Sequence, residues 1–358
     1  MSLSQVKILI AGGGTAGHIN PGIAIAKSLE KNMDNPEIIF VGTKQGLETR
    51  LVPMEGFGLE LIKVRGFKRK ISLDTLKSVK DTFLGICDAV KLIKKIKPDV
   101  VIGTGGYVCG PVLMVAKIFG IPTLIHESNA IPGVTNKILG RFVDCVCISF
   151  DEAKKYFTKS KKVVITGNPL RQGIESNTEV DDGGVVIFAG SRGSQTINTI
   201  VTKMINKYGE DIDFDLTFAT GEARYDEVVA KMGLKKVNIN IVPYIFDMPK
   251  VMGRAKLMVT RSGAITLAEI TAMGKPSLLI PSPYVTANHQ EYNARALEKK
   301  GASLVLLEKD LNEDVLYENI VRIIRDNDKR EKMAAAAKSM GVIDANDKIF
   351  NEVKMLIK

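Results

Sequence analysis

The sequence predicts an α/β protein built from two doubly wound, Rossmann-like domains, and three observations carry that expectation. Short apolar runs alternate with helix-patterned segments along the chain, as in parallel sheets covered by helices on both faces. A glycine-rich loop follows the first apolar run, at Gly12-Gly-Gly-Thr-Ala-Gly-His18, and a second, Gly190-Ser-Arg-Gly193, follows a later one. The 358 residues are long enough for two cores, and 45% hydrophobic with 25% charged residues are globular values.

In chain order, residues 6–11 read as the first strand, and Pro21 as the first residue of a helix ending near Glu30. Further strands are expected at 38–41, 59–64, 100–103, 123–126, 145–149 and 163–166. The segment 166–171 and the polar stretch 176–184 read as a linker. The second unit then places strands at 185–189, 216–219, 238–242, 257–260, 277–280 and 303–307. Domains are therefore expected at 1–165 and 166–340, followed by a C-terminal segment, 341–358. Doubly wound sheets bind ligands at the carboxyl ends of their strands. If those edges face each other, the site is the cleft between the domains.

Charge is unevenly placed. Eleven lysines and arginines stand against three acidic residues over 63–97, and the rest of a chain of formal net charge +10 is close to neutral. Within 67–84, Ile71, Leu76, Val79 and Phe83 recur near helical spacing among basic residues, the pattern of an interfacial helix; Ile86, Val90 and Ile93 are expected to pack on the sheet. Nucleic acid is disfavoured, because the chain has no tryptophan and the patch few aromatics to stack on bases. Four cysteines without CxxC spacing indicate a reducing, cytosolic compartment, and no signal peptide or membrane-length apolar run is seen.

The segment 257–274 is the most informative. A short strand leads to Ser262, placed to cap a helix that Gly274 and Pro276 end, and Glu269 is the only charged side chain on that helix. The bare N–H groups at a helix start form an anion site. Glu269 lies roughly 10 Å further along the axis at about 1.5 Å per residue, and a carboxylate accepts from both hydroxyls of a ribose. The alternative is a packing unit whose glutamate pairs with an arginine elsewhere.

Gly12-x-Gly14-x-x-Gly17 matches a dinucleotide fingerprint, but the second strand ends Val41-Gly42-Thr43 with no acidic residue for a ribose, which disfavours a dehydrogenase. The loop either lets a sugar or phosphate approach bare backbone or is a tight turn and no more. The three histidines, His18, His126 and His289, each lie in or beside a loop after a predicted strand, so a shared site is open to them. Histidine suits a general base. Metal binding is disfavoured, since none has a second ligand at i+2 to i+4. Asp211-x-Asp213-x-Asp215 resembles an acidic pair that holds a metal diphosphate, but it lies at the entry to a strand, where solvated acidic turns are common, and a helix dipole can stabilise a leaving diphosphate without metal. Tyr107 sits in a glycine-rich loop that reads as a turn and helix start. His289, Gln290 and Asn293 crowd neutral donors and acceptors at a helix start, as sugar hydroxyls require, and Asn288 reads as an N-cap.

Taken together, six ordered motifs resemble the MurG family of UDP-N-acetylglucosamine:N-acetylmuramyl-(pentapeptide) pyrophosphoryl-undecaprenol N-acetylglucosamine transferases. They are Gly-Gly-Thr-Ala-Gly-His18, Gly-Gly-Tyr-Val-Cys-Gly-Pro111, His126-Glu-Ser-Asn129 with Pro132-Gly and Thr135-Asn-Lys, Gly167-Asn-Pro-Leu-Arg171, Arg261-Ser-Gly-Ala-x-Thr-Leu-x-Glu269 and His289-Gln-x-x-Asn-Ala294. The resemblance implies a GT-B glycosyltransferase fold, with a C-terminal helix returning to the first domain. It implies inverting transfer of GlcNAc from UDP-GlcNAc to the C4 hydroxyl of MurNAc on an undecaprenyl-linked lipid acceptor, a step of peptidoglycan synthesis, with no cofactor or metal. By matching position, Glu269 meets the ribose, and Ala264, Ile265, Thr266, Leu267 and Ala268 the nucleotide. Ile245 meets uracil, Ser191 and Arg171 the phosphates, and Gln290 with Asn129 the sugar. Thr15, Ala16, Gly17 and His18 face the reacting centre, His18 as base with Glu127 its rival. The implied place is the cytoplasmic face of the bacterial cell membrane, bound peripherally through anionic lipids, with other cell-wall synthesis proteins as partners.

Two departures stand out. The family's second glycine loop often reads Gly-Gly-Ser-x-Gly-Ala, where this chain has Ala189-Gly-Ser-Arg-Gly-Ser194 with Arg192, and Ala16 replaces a glycine of some members. The rival readings are a UDP-GlcNAc 2-epimerase, which shares architecture and donor, and a non-catalytic sugar-nucleotide-binding subunit.

Overall fold

The computed structural model describes residues 5–64, 73–171, 173–174, 183–190, 193–233 and 236–357, without the side chains of 73–82 and Thr286. The chain divides into two compact units, Met1–Leu170 with Asp344–Lys358, and Arg171–Ile343.

The first unit holds seven parallel strands, β1 (Lys7–Gly12), β2 (Glu37–Gly42), β3 (Gly58–Leu61), β4 (Val100–Gly105), β5 (Thr123–Glu127), β6 (Cys145–Ile148) and β7 (Val163–Ile165), in the order β3-β2-β1-β4-β5-β6-β7. Its helices are α1 (Ala16–Asn32), α2 (Glu48–Met54), α3 (Leu73–Ile96), α4 (Cys109–Ile118) and α5 (Val134–Leu139). Strand side chains alternate between two cores. Leu9, Val41, Val101 and Ile125 meet α3 and α4 on one face, while Ile8, Ile10, Phe40 and Ile102 meet α1 on the other. The last helix of the chain also lies on that second face, where its Ile349 and Val353 join the α1 core.

The second unit holds six parallel strands, β8 (Val185–Phe188), β9 (Leu216–Ala219), β10 (Ile239–Val242), β11 (Leu257–Thr260), β12 (Ser277–Leu279) and β13 (Ser303–Val305), in the order β10-β9-β8-β11-β12-β13. Its helices are α6 (Gln195–Tyr208), α7 (Tyr225–Ala230), α8 (Met248–Arg254), α9 (Ala264–Met273), α10 (His289–Lys299), α11 (Glu313–Ile324) and α12 (Asn327–Met340); α13 (Ala345–Leu356) belongs to the first unit. All twelve strands expected after the first one form, within a few residues of the predicted limits.

Strand order reverses between β1 and β4 in one sheet and between β8 and β11 in the other. Neighbouring loops leave in opposite directions at such a point and open a crevice. The loops after β1, β4 and β11, which carry three of the six motifs, leave from these points.

Three local expectations are corrected. α1 starts at Ala16, so Pro21 lies inside it rather than opening it; extended Thr15 (φ −134°, ψ 153°) is the N-cap, and the helix begins directly from the glycine loop. Ser262 does not cap α9, because Gly263 holds that position and the serine hydroxyl donates instead to the Gln290 carbonyl at 2.8 Å. Ile86 is 40% exposed, because the buried stripe of α3 runs through Gly85, Ala89, Ile93 and Ile96, and Gly85 closes against the backbone of Lys63.

Candidate active site

In the first unit the site grows from the loop after β1. Gly14, at φ +87°, makes the turn that leads extended Thr15 into α1. His18 follows in the first helical turn, half-buried, with Thr15 and Gly17 exposed beside it and Ala16 partly exposed. Ala16 is helical, so its methyl group is accommodated. The end of β4 seats the histidine: the Thr104 hydroxyl donates to the His18 carbonyl at 2.7 Å, and the imidazole lies against Gly105. A Cβ at Gly105 would stand 2.6 Å from His18 Nδ1, and φ there is +109°, so both space and backbone call for glycine. Below it, the Cys109 thiol donates to the Ala11 carbonyl at 2.9 Å, and burial pushes its pKa up to about 12, so it is a packing group and no nucleophile.

The loop after β5 is organised by Glu127. Only 3% exposed, its carboxylate accepts from the Asn129 N–H (2.9 Å), the Asn129 amide (3.2 Å), the Gly133 N–H (3.2 Å) and the Asn136 amide (2.9 Å). Burial raises its pKa, and these hydrogen bonds oppose that shift. The result is a fixed loop that presents half-buried Asn129. His126 is 0% exposed and lies 3.1 Å from the Gly167 carbonyl, with burial lowering its pKa to about 4, so this histidine is an interior structural group.

In the second unit the sequence motifs converge around α9. Glu269 accepts a bidentate pair from Arg171, Nε to Oε1 at 2.5 Å and a terminal nitrogen to Oε2 at 2.8 Å. The glutamate side chain is 1% exposed and the arginine 43%. Burial raises the Glu269 pKa, with the Arg171 charge pulling the other way. The arginine left open as the partner of this carboxylate is thus Arg171 itself. Along the same helix, Ala264 and Leu267 turn inward, while Ile265, Thr266 and Ala268 are partly exposed. The Leu267 amide is spent on the Gly263 carbonyl.

Gln290, at the start of α10, accepts the Ser282 N–H at 2.9 Å through its side chain, and half-buried His289 precedes it. Asn288 stands at the N-cap position with φ 51°, but its amide donates to Glu291 instead of capping. Ile245 is 7% exposed beside Phe246 at 87%, whose ring meets Tyr244 edge-on at 5.2 Å. Ser191 and Arg192 lie outside the described residues; on either side, Gly190 and Gly193 have positive φ.

A largely enclosed ion pair, outside the six motifs as a pair, ties this half together. Arg261 meets Glu308 at 2.5 Å, donates to Ser194 at 2.7 Å and to the Ile280 and Pro281 carbonyls, and so joins the starts of α6 and α9. Arg261 had a motif around it, but Glu308 stands in an ordinary charged turn and carries no local signal. Among the described residues no group of three or more metal-ligating side chains occurs.

Two doubly wound parallel sheets, each with a glycine-rich loop after the first strand of its switch point, form the GT-B architecture that glycosyltransferases use. Residues 8–148 match the glycosyltransferase family 28 N-terminal domain and residues 184–349 its C-terminal domain. Over 99% of both chains it is 56% identical to the UDP-N-acetylglucosamine--N-acetylmuramyl-(pentapeptide) pyrophosphoryl-undecaprenol N-acetylglucosamine transferase of Acetivibrio thermocellus. It is 44% identical to the protein of that name from Bacillus cytotoxicus, over 99% of this chain and 100% of the relative. Among solved structures it is similar to MurG of Acinetobacter baumannii, at a TM-score of 0.78 and 25% identity over 98% of this chain and 99% of that one. A structure described as a putative UDP-N-acetylglucosamine 2-epimerase, from Listeria monocytogenes, shares the fold at 14% identity and a TM-score of 0.67, covering 98% of this chain and 96% of that one. The chain belongs to glycosyltransferase family 28 and, within it, to the MurG family.

Proposed function

We propose that the protein transfers GlcNAc from UDP-GlcNAc to the C4 hydroxyl of MurNAc in undecaprenyl-pyrophosphoryl-MurNAc-pentapeptide, with inversion at the anomeric carbon. The observation that carries this reading is end-to-end similarity to transferases of that name, one of them 56% identical. The fold shared with epimerases speaks for a common architecture and not for their reaction.

In this reading the second unit holds the donor. Glu269 takes the ribose hydroxyls on the acceptor positions that Arg171 leaves, since a carboxylate offers about four and the arginine uses two. Arg171, whose side chain is 43% exposed, meets the phosphates with Ser191. The start of α9 and its dipole stabilise the leaving diphosphate. Ile245 borders the uracil, and Gln290, His289 and Asn129 meet the sugar. His18 removes the proton from the attacking hydroxyl beside Thr15, Ala16 and Gly17, while Glu127 orders the Asn129 loop.

An acceptor carried by a lipid places this chemistry at the cytoplasmic membrane surface. Phe83 (66%), Ile86 (40%), Ile118 (77%) and Phe119 (44%) are exposed on or at the end of α3 and α4, and Lys94 Nζ stands 5.8 Å from the Phe119 ring centre. Bulky apolar side chains beside lysines suit acyl chains and anionic headgroups. The basic run of Lys68, Arg69 and Lys70 lies outside the described residues. No helix among the described residues is long and apolar enough to cross a membrane. Other cell-wall synthesis proteins are the partners expected at that surface. The test is UDP release by the purified chain: it should require the lipid acceptor, and release that ignores the acceptor would refute the proposal.

A further inference from the structure

One buried carboxylate takes no part in the chemistry above. Glu48, the first residue of α2, is 0% exposed, and its oxygens face donors from two loops. Oε2 accepts the Gly14 N–H at 3.0 Å, and Oε1 accepts both the N–H (2.8 Å) and the hydroxyl (3.0 Å) of Thr43. A threonine hydroxyl has one proton. With that proton given to Glu48, the Tyr107 phenol, 3.2 Å away, donates to the Thr43 oxygen. The Tyr107 ring closes the circuit by lying on Gly14, where a Cβ would stand 3.1 Å from Cε1.

Glu48 therefore joins the loops after β1 and β2, and Thr43 extends the link through Tyr107 to the loop after β4. The surrounding glycines make room for it. A Cβ on Gly13 would come within 2.7 Å of Glu48 Oε1, and one on Gly42 or Gly46 would approach the glutamate more closely still. Every group facing the carboxylate in these contacts is a donor, and a carboxylate only accepts, so charge and geometry agree. Tyr107 directly follows Gly105 and Gly106, against which the His18 imidazole rests.

We propose that Glu48 is a positioning residue for transfer: through Gly14, and through Thr43 and Tyr107, it fixes the backbone that carries Thr15 and His18. The inference rests on the reading that His18 faces the reacting sugar. Glu48 itself touches neither substrate, and it belongs to the unit that does not hold the nucleotide.

The test compares Glu48→Gln, Thr43→Val and Tyr107→Phe in the full chain. Each keeps side-chain shape while removing an acceptor charge or a hydroxyl. In Glu48→Gln, kcat should fall at least tenfold, while UDP affinity by titration calorimetry stays within twofold of the parent. Thr43→Val and Tyr107→Phe should each lower kcat severalfold, and their double variant should lose no more than the worse of the two, because they cut one chain of contacts. A folded Glu48→Gln protein with parental kcat, or one that loses UDP affinity in proportion, overturns the assignment. If Glu48→Gln does not fold, parental kcat in Thr43→Val overturns it, and a loss of kcat at unchanged UDP affinity supports it. His18→Ala separates the two levels: parental kcat there defeats the reading of His18, whereas a fall there with none in the Glu48 and Thr43 variants defeats this inference alone.

Discussion

Arg171 grips Glu269 through both carboxylate oxygens, at 2.5 and 2.8 Å, although 98 residues separate them in the chain. The arginine ends the motif at the opening of the second unit, and the glutamate lies mid-way along α9. Two residues read separately from the sequence, one for phosphate and one for ribose, are thus a single charged unit.

Glu269→Gln should keep the fold and weaken UDP binding by at least tenfold, since each hydrogen bond to a charged group is worth about 1.5–3 kcal/mol. Arg171→Ala leaves a buried carboxylate uncompensated, so its pKa rises further in the folded state. A folded-state pKa above the unfolded one contributes stability at low pH that is lost as pH rises. The deficit of Arg171→Ala relative to the parent should therefore shrink as pH falls from 7 towards 5, as read by urea midpoints. A deficit independent of pH would show that the pair carries no such burden.

His18→Ala should lower kcat by about 10²–10⁴ with little change in UDP affinity, the range for a lost general base. Gly105→Ala should imitate it in part, because a methyl group there would collide with the imidazole and strain a backbone at φ +109°. Steady-state kinetics beside UDP titration separates these effects. An equal loss of donor affinity in His18→Ala would make the histidine a donor ligand.

The buried His126, with its pKa lowered to about 4, predicts an acid limb of stability. The unfolded chain binds a proton near pH 6.5 that the folded chain refuses until about 4. The contribution of His126 is therefore complete above 6.5 and is lost as pH falls through that window, by about 3 kcal/mol at roughly 1.4 per pH unit. Glu127 and Glu269, whose pKa values are raised by burial, contribute with the opposite sign, losing stability as pH rises. The comparison is therefore made against His126→Gln, which should flatten the fall in denaturant midpoint between pH 6.5 and 4. An unchanged slope would contradict the assignment.

The fold was legible because both sheets are parallel and buried on both faces, so each strand is a short apolar run bracketed by glycines or polar residues. The start of α1 was not: Pro21 is a strong helix-start signal, yet the helix reaches back to Ala16 because Thr15 is already extended and the glycine loop supplies the turn. Of the candidate site, His18 and Glu269 stood out, one by its glycine-rich setting and the other by isolation on an apolar helix. Their partners did not. Arg171 was singled out for a phosphate, and nothing local ties it to Glu269. Glu48 sits in an ordinary helix start, and only the three-dimensional cradle of Gly13, Gly42 and Gly46 reveals that it is enclosed. Side-chain pairing over long sequence distances leaves no periodic trace.

Membrane docking should appear as co-sedimentation with liposomes that requires anionic lipid, weakens with salt and drops when Lys68, Arg69 and Lys70 become glutamate. Surface lysines are each worth about 1 kcal/mol on such a bilayer. Replacing exposed Phe83 and Ile118 by serine should weaken binding even at low salt. Equal binding to neutral vesicles, unmoved by charge reversal, would refute the docking surface and leave the transferase reading standing.

Transfer is tested most directly by incubating the purified chain alone with radiolabelled UDP-GlcNAc and the undecaprenyl-linked MurNAc-pentapeptide, then determining where the label goes and its anomeric configuration. Label is expected in the lipid product, β-linked to the C4 oxygen of MurNAc from an α-linked donor, with one UDP released per sugar transferred. Label recovered as UDP-ManNAc without any acceptor, or a product that retains the donor's configuration, would contradict it.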